Sequence, residues 1–118
     1  MEVYCEDKVL MAHPGEVVFI PQGKPHAFYI RSPHIRILIL VQAVGDRAVG
    51  LDRYFTQMAE PATSMNLPTE AVTYLMDDPS HAIHLGEANG IRFLSPEETA
   101  KELPHYPGFK ANLEKIGQ

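Results

Sequence analysis

The stretch that decides the fold is GEVVFIPQGKPHAFY, residues 15–29. Its first half, residues 17–20, is a short β-branched and aromatic run of the kind found in buried strands. Residues 21–24 have the chemistry of a turn, because proline fixes φ and Gly23 accepts the positive φ that many reversals need. The sequence therefore predicts a strand, a tight turn and a second strand, with His26 held near the start of that second strand.

Further short strands are predicted on both sides of this stretch. Residues 3–5 and 9–11 flank a polar turn at 6–8 and predict a hairpin. The second strand of the central stretch covers residues 27–30, and the apolar run 35–41 predicts a strand with both faces covered. Strands that recur about every ten residues are typical of an antiparallel sandwich or barrel.

The second half of the chain is predicted to be mostly helical. Residues 51–59 place Leu51, Tyr54, Phe55, Met58 and Ala59 on one continuous apolar stripe, which we expect to dock on the sheet. Caps and breakers predict further helices at 69–77, from Asp78-Pro79 to Asn89-Gly90, at 96–103 behind the capping box 95–98, and at 109–116. We therefore expect a β-region with a closing helix at 1–62 and a helical extension packed on it at 63–118.

Composition excludes several classes of function. A net charge of −5 argues against a nucleic-acid or anionic-membrane surface. The single cysteine, Cys5, rules out an internal disulfide and fits a reducing compartment. No window approaches the roughly 18 apolar residues of a membrane span, and no basic and apolar leader opens the sequence, so we expect a cytoplasmic protein.

The central stretch resembles a motif of a known family. Gly15, Pro21, Gly23 and His26 have the spacing of the second cupin motif, G-x5-P-x-G-x2-H-x3-N, with Ile30 in place of the asparagine. That asparagine is often missing in the branch that resembles quercetin 2,3-dioxygenase, and the aromatic helix that ends near residues 60–62 is similar to that branch too. The resemblance implies the C-terminal half of a cupin-type jelly-roll barrel, followed by the helical extension.

The resemblance also implies a role for His26 as one of four ligands to a divalent iron, nickel, manganese or copper ion. The other three ligands, two histidines and a glutamate, belong to a first motif that contains His-x-His, and this chain has no His-x-His. Either another chain supplies the missing half, or it was lost, or the protein works without a metal. Because a half-barrel leaves an open sheet edge, we expect a homodimer or a partner chain that completes the barrel.

Several other residues are candidates for a role near the motif or in the core. Three aromatic residues next to the motif are candidates to line a pocket for an aromatic substrate: Phe19, Phe28 and Tyr29. By alternation Phe28 shares a face with Ile30, and Tyr29 lies on the other face. Cys5 is interpreted as a small core residue. His13 is interpreted as an exposed turn residue, with a position facing the same cavity as the alternative, and His34 as a rim residue before the strand 35–41. The helical pair His81 and His84 has no evident third ligand.

Three functional hypotheses follow. The first is a quercetinase-like, metal-dependent oxidoreductase or dioxygenase that acts on an aromatic or polyketide-like small molecule and is incomplete or inactive as this chain alone. The second is a metal-free cupin that binds a small molecule, or a lyase, isomerase or cyclase in which His26 is the acid/base group. The third is a structural or dimerisation domain without a site.

Overall fold

The structure is a computed structural model that describes residues 1–42, 50–66 and 79–108. These residues form three strands and three helices, in the order β1 (Glu2–Cys5), β2 (Lys8–Met11), β3 (His26–Tyr29), α1 (Leu51–Met58), α2 (Ser80–Ala88) and α3 (Pro96–Glu102). Two compact units are distinguished. One comprises Met1–Leu38 together with Leu94–Gln118, and the other is Ile39–Phe93.

The three strands form one antiparallel sheet in the order β2-β1-β3. The predicted hairpin is confirmed, because β1 pairs with β2 across a tight turn in which Glu6 has a φ of 53°. The predicted strand after the central turn is also confirmed, although it begins at His26 rather than one residue later. Cys5, at the end of β1, lies opposite Lys8 in β2 and opposite His26 in β3.

The core of the first unit is built around the middle strand. Val3 and Tyr4 project to opposite faces of β1, and both are buried because β1 has a neighbour on each side. The ring of Tyr4 meets Tyr106 edge to face, with 5.3 Å between the ring centroids. Leu103, directly after α3, is also buried. This small core fixes the strand that carries Cys5 and aligns the strand that carries His26.

The predicted jelly-roll barrel is wrong. Within the described residues the sheet has three strands and remains open at β2 and at β3. The two other predicted strands, 17–20 and 35–41, are described by the structure and are not strands. Val17 and Leu40 on these segments are 93% and 87% exposed. A barrel closes only when every strand has two neighbours, and the described residues supply neighbours on both sides for β1 alone.

The second unit contains α1 and α2. The predicted first helix is confirmed and ends at Met58, one residue before the expected end. Tyr54 from its apolar stripe is buried and contacts the ring of Phe93, with 5.8 Å between the ring centroids. The buried Asn89 donates from its side-chain amide to Gln57 at 2.9 Å and thereby joins the end of α2 to α1.

The predicted caps of α2 and α3 are largely present. The helix α2 ends at the C-cap Asn89, and Gly90 follows with a φ of 76°, as expected. Pro79 is the N-cap of α2 rather than its first helical residue. The capping box of α3 is complete, because the Ser95 hydroxyl accepts from the Glu98 N–H and the Glu98 carboxylate accepts from the Ser95 N–H. Predictions at 69–78 and 109–116 lie outside the described residues.

Candidate functional site

Each of the two turns before β3 contains a glycine with positive φ. Gly15 has a φ of 83° and Gly23 a φ of 78°, conformations that side chains disfavour. Around Gly23 the Lys24 N–H donates to the Pro21 carbonyl at 3.3 Å, which closes the second turn. The motif spacing therefore places glycine where the backbone of these turns needs it, and the chain enters β3 directly at His26.

A salt bridge holds the second turn against the hairpin of β1 and β2. The Lys24 ammonium lies 2.7 Å from the Glu6 carboxylate, and the Glu6 N–H donates to the Pro25 carbonyl at 3.1 Å. The hydrogen bond to Glu6 is also the main reason that the pKa of Lys24 is raised. Two independent contacts therefore fix the backbone on the residue before His26.

The ring of His26 has a defined orientation. Its Nδ1 lies 2.9 Å from the Lys24 carbonyl oxygen. Because a carbonyl oxygen only accepts, Nδ1 carries the proton in this contact, and the neutral ring then has its lone pair at Nε2. His26 is exposed, and the ring of Phe28 contacts it edge to face, with 5.8 Å between the ring centroids. Nε2 is thus the atom that His26 offers to a metal or to a proton.

The structure brings together some of the predicted site residues and separates others. Phe28 shares a face of the sheet with His26, whereas Tyr29 lies on the opposite face. Phe19 lies on the segment between the two turns and is 82% exposed. His13 is exposed, and its ring nitrogen lies 3.2 Å from the Glu16 carboxylate, so these two residues form a surface pair in the preceding turn.

The residues present do not by themselves form a metal centre. A catalytic metal usually takes about three protein ligands, and His26 supplies one. Among residues 1–42, 50–66 and 79–108 there is no group of three histidine, cysteine, aspartate or glutamate side chains that could hold a metal ion. His81 and His84 share a helix, but both are exposed and neither belongs to such a group. A three-ligand centre at His26 would therefore need at least one ligand from outside the described residues.

A polar cluster on the opposite face of the sheet was missed by sequence reasoning. The buried carboxylate of Glu2 accepts from the Tyr4 hydroxyl and from Arg31, whose Nε lies at 2.5 Å and whose second nitrogen lies at 3.3 Å. The Arg31 guanidinium also stacks over the Tyr29 ring, 4.9 Å from its centroid. Side chains alternate between the two faces of a strand, so the sequence of β1 already placed Glu2 and Tyr4 on the same face. That shared face was the one indication of the cluster in the sequence.

Contacts within this cluster shift the pKa values of Glu2 and Tyr4 in opposite directions. Hydrogen bonds from Arg31 and then from Tyr4 lower the pKa of Glu2, because both stabilise the carboxylate. The hydrogen bond to Glu2 is the main reason that the pKa of Tyr4 is raised, since the donated proton is harder to remove. The cluster is satisfied internally and anchors the end of β3 to β1, so it acts as support for the site.

The second unit has an apolar cleft of its own. It has a volume of about 380 Å³ and is lined by Ile39, Val41, Leu51, Asp52 and Phe55. Most of this lining is apolar, and Asp52 lies in the first turn of α1. The cleft lacks the convergent polar groups that usually orient a small molecule, so the turn around His26 remains the stronger candidate.

Comparisons with protein-family models, with curated proteins and with solved structures find no match to this chain. In the described residues, no helix is both long enough and apolar enough to span a membrane. Function therefore has to be inferred from the residues themselves and from the motif around His26.

Proposed function

We propose that this chain takes part in a metal-dependent oxidoreductase similar to quercetin 2,3-dioxygenase, with His26 as one metal ligand. The observation that carries the proposal is the contact between His26 Nδ1 and the Lys24 carbonyl at 2.9 Å. Metal-binding histidines almost always donate their second nitrogen in this way, which fixes the ring and leaves the other nitrogen free for the metal. The substrate would be an aromatic or polyketide-like small molecule.

Two further observations support this assignment. Gly15 and Gly23 have positive φ, so both motif glycines occupy positions where the backbone favours glycine. Phe28 lies beside the His26 ring and offers an aromatic surface to a flat substrate. Because the described residues contain no group of three ligands, the proposal requires at least one further ligand from outside them, with iron, nickel, manganese or copper held jointly with a second copy or another chain.

A second candidate function is favoured by the lack of a three-ligand group among the described residues. In it the chain binds a small molecule without a metal, and Nε2 of His26 accepts and returns a proton as a lyase, isomerase or cyclase would require. The same ring orientation serves this chemistry, because the Lys24 carbonyl holds the imidazole in the tautomer that is basic at Nε2.

We propose that the ligand is a small molecule and that the chain does not bind nucleic acid. The proposed location is a reducing compartment such as the cytoplasm. The net charge of −5 and the free thiol of Cys5 support these statements. The open edge of β3 supports a homodimer or a complex with another chain, since unpaired strand edges readily take up a further strand.

Metal content separates the two candidates. The full chain is loaded anaerobically with each of the four divalent metals, and bound metal and oxygen uptake with an aromatic polyketide are measured. His26→Ala should abolish both, while His34→Ala, at an exposed residue, should leave both intact. Equal metal binding by His26→Ala contradicts the oxidoreductase. A metal-free protein whose aromatic ligand binding is lost in His26→Ala favours the acid/base function.

A further inference from the structure

Cys5 and His26 lie directly opposite each other on β1 and β3, with their side chains on the same face of the sheet. The Glu6 N–H donates to the Pro25 carbonyl at 3.1 Å, which makes that pair a hydrogen-bonded one. Pair types alternate along antiparallel strands, so the adjacent pair of Cys5 and His26 is a non-hydrogen-bonded pair. In such pairs the Cα atoms are about 4.5 Å apart and the side chains lie closer together.

Both side chains of this pair are accessible. Cys5 is a free thiol with a partly exposed side chain, and His26 is exposed. The Lys24 carbonyl occupies Nδ1 of His26, so the donor atoms that remain are Cys5 Sγ and His26 Nε2. The strand register therefore places a residue with a sulfur donor and one with an imidazole donor directly opposite each other on one face of the sheet.

We propose that Cys5 Sγ and His26 Nε2 form a two-ligand site for cuprous copper. Thiolate sulfur selects soft ions such as Cu(I), and imidazole suits copper as well. On binding, one Cu–S bond and one Cu–N bond form, the thiol proton passes to solvent, and the oxidation state of the copper does not change. The site rests on the proposed role of His26 Nε2, and it adds a second ligand from this chain and favours copper in its cuprous state over the divalent metals.

The test is a competition for Cu(I) between the full chain and a chromogenic Cu(I) chelator, under anaerobic conditions with ascorbate. The chain should withdraw one copper ion per thiol. Cys5→Ser and His26→Ala should each weaken the affinity by about tenfold or more, because even the loss of a residue that only hydrogen-bonds to a ligand costs about 10–100-fold. His34→Ala is the matched control and should bind as the unaltered chain does, and circular dichroism shows whether each variant is folded.

The variants show whether copper is bound by Cys5 and His26 together or by one of them alone. Unchanged affinity in His26→Ala would mean that a surface thiol binds alone, and it overturns the site. Unchanged affinity in Cys5→Ser overturns the pair but leaves the proposed role of His26 standing. If a variant fails to fold, ¹⁵N spectra of the unaltered protein decide. Cu(I) should shift the resonance of His26 Nε2 strongly and keep the proton on Nδ1, and a spectrum without that shift overturns the proposal.

Discussion

Glu2 is the residue whose surroundings most constrain the sheet. It lies on the middle strand and is only 8% exposed, and burial alone would favour its neutral form. Arg31 and Tyr4 both donate to its carboxylate, and these contacts outweigh burial so that its pKa is lowered. The charge of Glu2 therefore connects β1 to the residues that follow β3, and stability should depend on pH through this carboxylate.

We predict that the free energy of unfolding falls on both sides of neutral pH. The pKa of Glu2 is lower in the folded chain than in the unfolded chain, so its contribution is present above about pH 4.3 and is lost as the pH falls through the folded value. The pKa of Tyr4 is raised, so its contribution is present below about pH 10 and is lost as the pH rises through the folded value.

Urea unfolding measured across this pH range checks the prediction, with Glu2→Gln as the diagnostic variant. Glu2→Gln should be less stable at neutral pH and should lose less stability in acid than the unaltered chain. Glu60→Gln, which replaces an exposed carboxylate, is the control and should keep the full acid dependence. An acid limb that is identical in Glu2→Gln and in the unaltered chain would contradict the role assigned to Glu2.

At the scale of elements, α3 depends on its capping box because it has only seven residues. Isolated helices of this length are unstable in water, so contacts at the first turn matter. The Ser95 hydroxyl and the Glu98 carboxylate each satisfy a backbone N–H that has no partner within the helix. Directly after α3 comes the buried Leu103, so the cap also supports the core of the first unit.

We predict that Ser95→Ala lowers the free energy of unfolding by about 1 kcal/mol, the usual cost of losing an N-cap oxygen. Ser95→Asp retains an acceptor at the same position and should remain close to the unaltered chain. Chemical denaturation of the three proteins measures the difference. A Ser95→Ala variant as stable as Ser95→Asp would show that the capping box contributes nothing.

Gly86 in α2 provides a second test at this scale. A Cβ at this position would lie 2.6 Å from Cε2 of Phe93 and 3.2 Å from the Ile91 carbonyl. Helix propensity favours alanine over glycine by up to about 1 kcal/mol, but overpacking typically costs about 1–3 kcal/mol. We therefore predict that Gly86→Ala is destabilising, even though it lies in the interior of a helix.

Thermal unfolding of Gly86→Ala alone and combined with Phe93→Ala separates these effects. Removal of the ring should make the added methyl group less costly, so the two substitutions should be non-additive. Glu87→Ala, on the exposed side of the same helix, serves as the control and should change stability little. A Gly86→Ala chain that is more stable than the unaltered chain would mean that propensity outweighs the contact.

Across the whole molecule, the sequence predicted the elements that depend on neighbouring residues better than the pairing of strands. The hairpin, α1 and the capping box of α3 were predictable because turn residues, an apolar stripe and capping pairs act over a few neighbouring residues. The segments 17–20 and 35–41 have strand composition, but a strand also needs a partner strand, and the described residues provide none for them. Composition alone could not reveal that difference.

The candidate site also has features that the sequence predicts and features that only the structure shows. The position of His26 at the start of a strand followed from the local turn, whereas its pairing with Cys5 depends on the register of β1 and β3. The contact of Arg31 with Glu2 joins residues 29 positions apart, so no local pattern indicated it. Sequence therefore located the candidate ligand, and the sheet was needed to identify its neighbours.

The exposed apolar side chains predict self-association or binding to another chain. Leu38, Ile39 and Leu40 are consecutive and 85%, 57% and 87% exposed, and a run of exposed apolar side chains usually marks an interaction surface. Sedimentation at micromolar concentration should show a dimer or a larger species for the unaltered chain. Leu38→Lys with Leu40→Lys should shift the equilibrium towards monomer. If the unaltered chain sediments as a monomer, this prediction is contradicted.

The protonation of His26 tests the central claim most directly, because both candidate functions use Nε2 as the reactive atom. Long-range ¹H–¹⁵N correlation spectra of the metal-free chain, recorded with the imidazole in its neutral form, locate the proton. The contact with the Lys24 carbonyl predicts that the proton is on Nδ1 and that Nε2 has the shift of an unprotonated nitrogen. A proton found on Nε2 would contradict the account.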